Sequence, residues 1–174
     1  ISTSIPRDFR VKANLFGGQF NTYKAHVNIG SSGETFGYLL ETFINQTTGF
    51  KNLDHAGQNT GFSKADYLGK FRFNTPKSFT IPAAIELKYS ITDELSNESY
   101  LGLSRSDFSI DPLRRYAASG IDEMDADHAQ TVLTGAVKPL PNVDLTVAYY
   151  NNEFNRNWFK LSKVGGSSIE SIFS

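Results

Sequence analysis

The densest polar chemistry of this sequence lies between Tyr100 and His128, where Arg105, Asp107, Asp111, Arg114, Arg115 and Tyr116 crowd into one stretch. Guanidinium groups stay charged and bind carboxylates through two parallel N–H bonds, so the stretch suits an anionic ligand. The plain alternative is a solvated surface loop, which is polar whatever it does. An acidic run follows, Asp122, Glu123, Asp125 and Asp127, ending at His128. Crowded carboxylates can hold Ca²⁺, but the run lacks the glycine and regular spacing of an EF-hand loop, and a solvated charge cluster is the better reading. The three histidines, His26, His55 and His128, are far apart without H-x-x-x-H spacing, which argues against zinc. With no cysteine, disulfides, thiolate metal sites and Cys nucleophiles are excluded. No G-x-S-x-G occurs, and Gly30-Ser-Ser-Gly33 opens a strand, so it reads as a turn and not a phosphate cradle. No catalytic residue, metal or cofactor is expected.

The elements that must position these residues are strands. Val11, Ala13 and Leu15 alternate with Arg10, Lys12 and Asn14; Tyr23, Ala25, Val27 and Ile29 alternate with Lys24, His26 and Asn28. The same period of two runs through Ala65, Tyr67, Phe71 and Phe73, through Ile81 to Ile91, and through Val143 to Tyr149. Each run therefore has one apolar and one polar face, with His26 on the polar one. Residues 35–45 and 128–137 are expected strands with weaker patterning, since Leu39 and Phe43 fall on the wrong face. Helical spacing fits only Asp111 to Ala118, which is too short to decide anything. An aromatic share of 13% agrees with strands. A net charge of −1 gives no field directed at nucleic acid. No basic segment leads into an apolar core at Ile1 to Phe9, and no apolar run approaches the roughly 18 residues of a membrane helix.

The connections carry more information than the strands. Gly30 to Glu34, Asn74 to Phe79 and Lys138 to Asn142 are short and rich in turn formers. Gln46 to Ser63 and Thr92 to Asp127 are long, and the segment from Asn151 onward is expected to open a third long loop. Short and long links thus alternate, except that Gly17 to Thr22 is short where a long link is due. The runs at 63–73, 80–91 and 143–152 are about ten residues each, the length of a tilted membrane-spanning strand and not the roughly 5–6 of soluble ones. Alternating link length and long strands favour an outer-membrane β-barrel over a soluble sandwich. Phe36, Tyr38, Tyr67, Phe71, Phe73, Tyr89, Tyr149 and Trp158 would then form aromatic girdles at its rims.

The opening ISTSIPRDFRVKANLFGG, with Ser2, Thr3, Ser4, Ile5 and Pro6 before Arg7, Asp8 and Phe9, resembles the passage from plug to barrel in TonB-dependent outer-membrane receptors. Gly37 to Asp54 is similar to the third barrel strand and its loop in the ferric citrate branch. Tyr100 to His128 and Tyr150 to Leu161 also resemble that branch. The resemblance implies an antiparallel up-and-down transmembrane barrel of about 22 strands, of which this chain supplies seven and the start of an eighth. Residues 1–6 would end the plug and 7–174 would begin the barrel. The chain is then a fragment, because open sheet edges are not tolerated in hydrocarbon. It implies active uptake, without chemistry on the cargo, of a ferric chelate such as ferric citrate or a siderophore. Its partners would be the chelate, outer-membrane lipid and the TonB complex acting through the plug. Arg105, Arg114, Arg115 and Tyr116 are the candidate chelate contacts. Two other readings stay open: a secreted or surface β-sandwich that binds carbohydrate or protein, with Ile81, Ile85, Leu87 and Tyr89 buried against a second sheet, and a passive porin.

Overall fold

A computed structural model describes residues 3–55 and 59–168. Eleven strands run in chain order: β1 (Arg10–Gly17), β2 (Tyr23–Ser32), β3 (Phe36–Thr47), β4 (Asn52–Leu53), β5 (Phe62–Asn74), β6 (Ala83–Asn97), β7 (Arg114–Arg115), β8 (Glu123–Leu140), β9 (Val143–Phe159), β10 (Lys163–Val164) and β11 (Ser167–Ser168). One short helix, α1 (Arg105–Ile110), and a 3-10 turn, Ala117–Ile121, lie between β6 and β8. The protein is all-β, and seven of the strands form one antiparallel sheet in the order β1-β2-β3-β5-β6-β8-β9. Every step pairs sequential long strands, so the sheet is a meander built from hairpins alone.

The register explains why the sequence alternates. Side chains of residues paired across antiparallel strands share a face. Val11, Ile29, Leu40, Gly69, Tyr89 and Thr131 stand in one row, and Tyr38, Phe71, Leu87, Leu133 and Tyr149 in another. All the apolar sets therefore merge into a single continuous face. No second sheet covers it among the described residues: Ile81, Ile85, Leu87 and Tyr89 are 48%, 46%, 38% and 49% exposed. The burial that a β-sandwich requires of these four is not found.

The opposite face carries Lys12, Asn28, Glu41, Ser90 and Gln130 in one row, and Asn14, His26, Asp66, Thr92 and His128 in the next. His26 Nε2 meets Glu41 Oε1 at 3.1 Å, and Thr92 donates to Asp66 at 2.5 Å. Asn28 and Lys70 are buried here, so this is the more sheltered side. The N-terminal segment contributes to that shelter. Lys70 Nζ on β5 donates to the Thr3 carbonyl, Ile5 lies against Gly37 on β3, and Pro6 lies against Gly30 on β2. The chain thus crosses three strands on the polar face before turning into β1. A Cβ at Gly30 would stand 2.7 Å from Pro6 and from the Tyr38 carbonyl, which is why glycine is needed there. Leu39, the apparent misfit of β3, sits between Gly30 and Lys70 in the row that this segment crosses, and is 1% exposed.

Several expected boundaries move. Strand β6 begins at Ala83, leaving Ile81 in the turn, and continues to Asn97; β8 begins at Glu123 and β9 ends at Phe159. The expected long loop from Thr92 to Asp127 is thus strand at both ends, and the acidic run is paired backbone. Period-two reading stops where both faces turn polar, but ladder hydrogen bonds do not require an apolar side chain. Helix forms at Arg105–Ile110 instead of Asp111 to Ala118, because Ser104 caps it: its Oγ accepts from the Asp107 amide at 3.1 Å. The tight turns at Gly33–Thr35, residues 75–82 and Pro141–Asn142 lie at one end of the sheet. Residues 48–55 and 59–61 and the loop 98–122 lie at the other, with the short link 18–22 beside them.

Candidate functional site

The two long loops are built into one unit. Strands β4 and β7 pair in parallel, Asn52 with Arg114 and Leu53 with Arg115, which lays the first long loop along loop 98–122 at this point. The Asn52 amide donates to Leu113 O and the Asp54 amide to Arg115 O, both at 2.9 Å. This ladder aims the Arg114 side chain at Asp54: Nε donates to Oδ1 at 2.8 Å and Nη2 to Oδ2 at 2.9 Å. The arrangement is the bidentate fork expected of arginine and carboxylate. The remaining Nη1 reaches Asp107 Oδ1 at 3.1 Å. Asp107 Oδ2 accepts from the Tyr116 hydroxyl at 2.6 Å and from Ser104 Oγ at 2.9 Å. A second tie crosses the same seam, where Lys51 Nζ donates to Ser99 Oγ at 2.5 Å.

The electrostatics follow from these contacts. The hydrogen bond from Arg114 holds the Asp54 carboxyl below its ordinary value, and the hydrogen bonds from Tyr116 and Ser104 do the same for Asp107. Arg114 is pushed up, chiefly by its hydrogen bond to Asp54. Burial lowers Lys51, and the nearby Arg115 charge adds to the effect.

The four residues singled out from the sequence thus divide. Arg114 and Tyr116 come together, with the guanidinium 5.4 Å from the ring centroid, but their polar groups are already engaged within the clasp. Arg115 turns back on the chain, donating to the carbonyls of Pro112 and Arg114 at 2.9 and 2.5 Å. Arg105 stands exposed on α1, apart from the clasp. The acidic run separates too. Asp122 is buried and structural, while Glu123, Asp125 and Asp127 line up along one face of β8. No grouping of three or more His, Cys, Asp or Glu that would hold a metal occurs among the described residues.

Sequence reasoning missed one participant and misplaced two. Asp54 is the anchor of Arg114, yet it is 60 positions away and marked by nothing local. Asp122 is 2% exposed and accepts from the amides of Tyr100 and Leu161, both at 2.9 Å, so one carboxylate ties the start of loop 98–122 to the chain leaving β9. Trp158 pairs with Met124 across β8 and β9, which puts it on the polar face with Phe62 and Ser96. It is therefore no part of a girdle on the apolar face. Extending the alternation beyond Tyr149 to an even-numbered residue would have revealed this.

Two concavities lie elsewhere on the sheet. A groove of about 440 Å³ opens on the apolar face beside Gly69, walled by Leu40, Tyr67, Tyr89 and Ile91. Its lining is almost wholly apolar, with nothing to orient a polar cargo. On the polar face, a cleft of about 290 Å³ lies between Thr3 and the sheet, lined by Glu41, Phe43, Asp66, Ser90 and Thr92. No protein-family model, curated protein or solved structure matches the chain.

Proposed function

We propose that this chain is part of the wall of a TonB-dependent outer-membrane receptor that takes up an anionic ferric chelate, ferric citrate or a siderophore. The observation that carries the membrane reading is the shape of the exposed apolar face. On β1, β2 and β3 that face is apolar as far as Leu15, Ala25 and Ile44, but the same row continues into Asp93, Asp127 and Asn155 on β6, β8 and β9. At the other border, Val137 and Leu145 continue the apolar face on β8 and β9 past the rows that β1 reaches. The apolar band therefore slides along the strands by about one residue per strand. With about 3.3 Å of rise per residue and about 4.8 Å between strands, a level band crosses strands tilted by roughly 35°, which falls in the range of transmembrane barrels. From Phe36 to Ile44 the band spans about 26 Å along β3, or about 22 Å once tilted, close to the apolar height of an outer-membrane barrel.

Other features support the same reading. Phe36, Tyr38 and Phe73 cluster at the short-turn end of the apolar face, with ring centroids 6.1 and 5.0 Å apart, as a rim girdle does. The Thr3–Pro6 segment lies on the polar face, where the end of a plug inside a lumen would lie. The groove beside Gly69 would take a lipid acyl chain. The clasped loops would form the outer vestibule that captures cargo, with Arg105 as its exposed guanidinium, and energy would reach the receptor through the TonB complex. No covalent step on the cargo is involved.

The chain has no cysteine, so single cysteines can be placed without background. Ile85→Cys, Glu86→Cys, Leu87→Cys and Lys88→Cys, each carrying a fluorophore, are folded into vesicles containing spin-labelled lipid. Quenching at 85 and 87 but not at 86 and 88 is expected. Uniform quenching, or a folded monomer that stays soluble without detergent, overturns the membrane reading. Ferric citrate that fails to bind the folded chain removes the cargo assignment while leaving the wall intact.

A further inference from the structure

A second polar constellation lies at the long-loop end of the sheet, separate from the Arg114 clasp. The rings of Tyr100 and Trp158 meet edge to face, with centroids 6.1 Å apart and planes at 89°. Lys160 Nζ sits in the corner they make, 4.1 Å from the Tyr100 centroid and 4.3 Å from that of Trp158. Arg156 lies over Trp158 as well, its guanidinium carbon 5.5 Å from the centroid. Neither cation is ion-paired to a carboxylate among the described residues. Tyr100 and Trp158 are 50% and 40% exposed, so a ligand can reach their rings.

The corner is held from beneath. Asp122, almost wholly buried, accepts from the backbone of Tyr100 on one side and of Leu161, next to Lys160, on the other. A buried carboxylate bound by two amides fixes the relation of two segments that the sequence separates by about sixty residues. A cation resting on an aromatic face keeps its N–H donors available to a second partner. Two such cations around an indole offer charge and a flat surface at one place.

We propose that Tyr100, Arg156, Trp158 and Lys160 form a binding corner for an anion with a planar conjugated body, of the arene carboxylate class. The carboxylates draw Lys160 and Arg156 off the indole, and the ring takes their place on Trp158 with Tyr100 at its edge. The corner lies on the polar face, whereas the adjacent Phe159 belongs to the opposite one, so the ligand arrives from water.

Trp158 is the only tryptophan in the chain, and its emission reports on the corner directly. The full chain, with its strand content verified by circular dichroism, is titrated with benzene-1,2-dicarboxylate in detergent and in plain buffer. Cyclohexane-1,2-dicarboxylate and inorganic phosphate are run in parallel. A saturable change in Trp158 emission is expected with the arene, and roughly tenfold weaker binding with the saturated ring. Lys160→Gln and Arg156→Gln each weaken the response, and Lys77→Gln, an exposed cation in the turn at the opposite end of the sheet, leaves it unchanged. The proposal fails if there is no saturable change, if the three anions respond alike, or if the Lys160→Gln, Arg156→Gln double variant binds as before. Because the titration is read in whichever medium holds the fold, failure of the membrane reading is not mistaken for failure of this one.

Discussion

The two faces of the sheet are made by the same strands and differ only in the parity of the residue. On one, Ile85, Leu87 and Tyr89 stand in the open with no layer of the described residues above them. On the other, Lys88 bonds Gln130, Lys64 pairs with Glu94, the Thr3–Pro6 segment lies across the strands, and Leu39 is enclosed. In an ordinary soluble protein the apolar side is the one that is covered. Here, among the described residues, the covered side is polar, and the exposed apolar face is the kind of surface that the hydrophobic effect drives out of water.

Exchanging the chemistry of the two faces has the largest expected effect. On the proposed membrane reading, Leu87→Arg, near the middle of the apolar band, costs about 2–4 kcal/mol in a bilayer, while Ser90→Arg on the other face is nearly neutral. Denaturant titration of the chain folded into vesicles measures both. Leu39→Ala should also cost about 2–4 kcal/mol, since it empties a site closed by protein. Gly30→Val, which drives a side chain into Pro6, tests the same enclosure by releasing the N-terminal segment to protease.

Smaller effects come from the loop end. Asp122→Ala leaves two amides without their acceptor and should destabilise the chain by about 1–3 kcal/mol. It should also raise the mobility of Tyr100 and Leu161 together in hydrogen exchange. Arg114→Gln is expected to leave global stability almost unchanged but to make loops 48–61 and 98–122 cleavable together, whereas independent loops would respond separately.

The smallest effect is the pH dependence of the clasp. Asp54 and Asp107 have folded-state values below their ordinary 3.8. The clasp's contribution is therefore fully present above that value and is lost as pH falls through the depressed folded values. Loop protection at pH 5 should match that at pH 7 and should vanish only under strongly acid conditions.

Much of the sheet is legible in the sequence because a strand writes its two environments into alternate positions. Ile81 to Ile91 announces an apolar face without any tertiary information, and Pro141–Asn142 announces the turn that joins β8 to β9. The acidic run was not legible as strand, since Glu123 to Asp127 pairs through backbone groups that are the same in every residue. The candidate site was less legible still. Arg114 and Tyr116 stand out by type, but their partners Asp54 and Asp107 are chosen by how two loops lie together.

What the sequence alone determined is the all-β class, the face each strand residue occupies within the apolar band, and the end at which the long loops emerge. These depend on local periodicity and turn chemistry, which neighbouring residues settle among themselves. Only the tertiary structure decided that the apolar rows merge and slide from strand to strand. It also decided that Arg114 is spent on Asp54, and that Asp122 brings Tyr100 beside Lys160. Those facts depend on register and on contacts between distant segments, for which a one-dimensional pattern carries no distance.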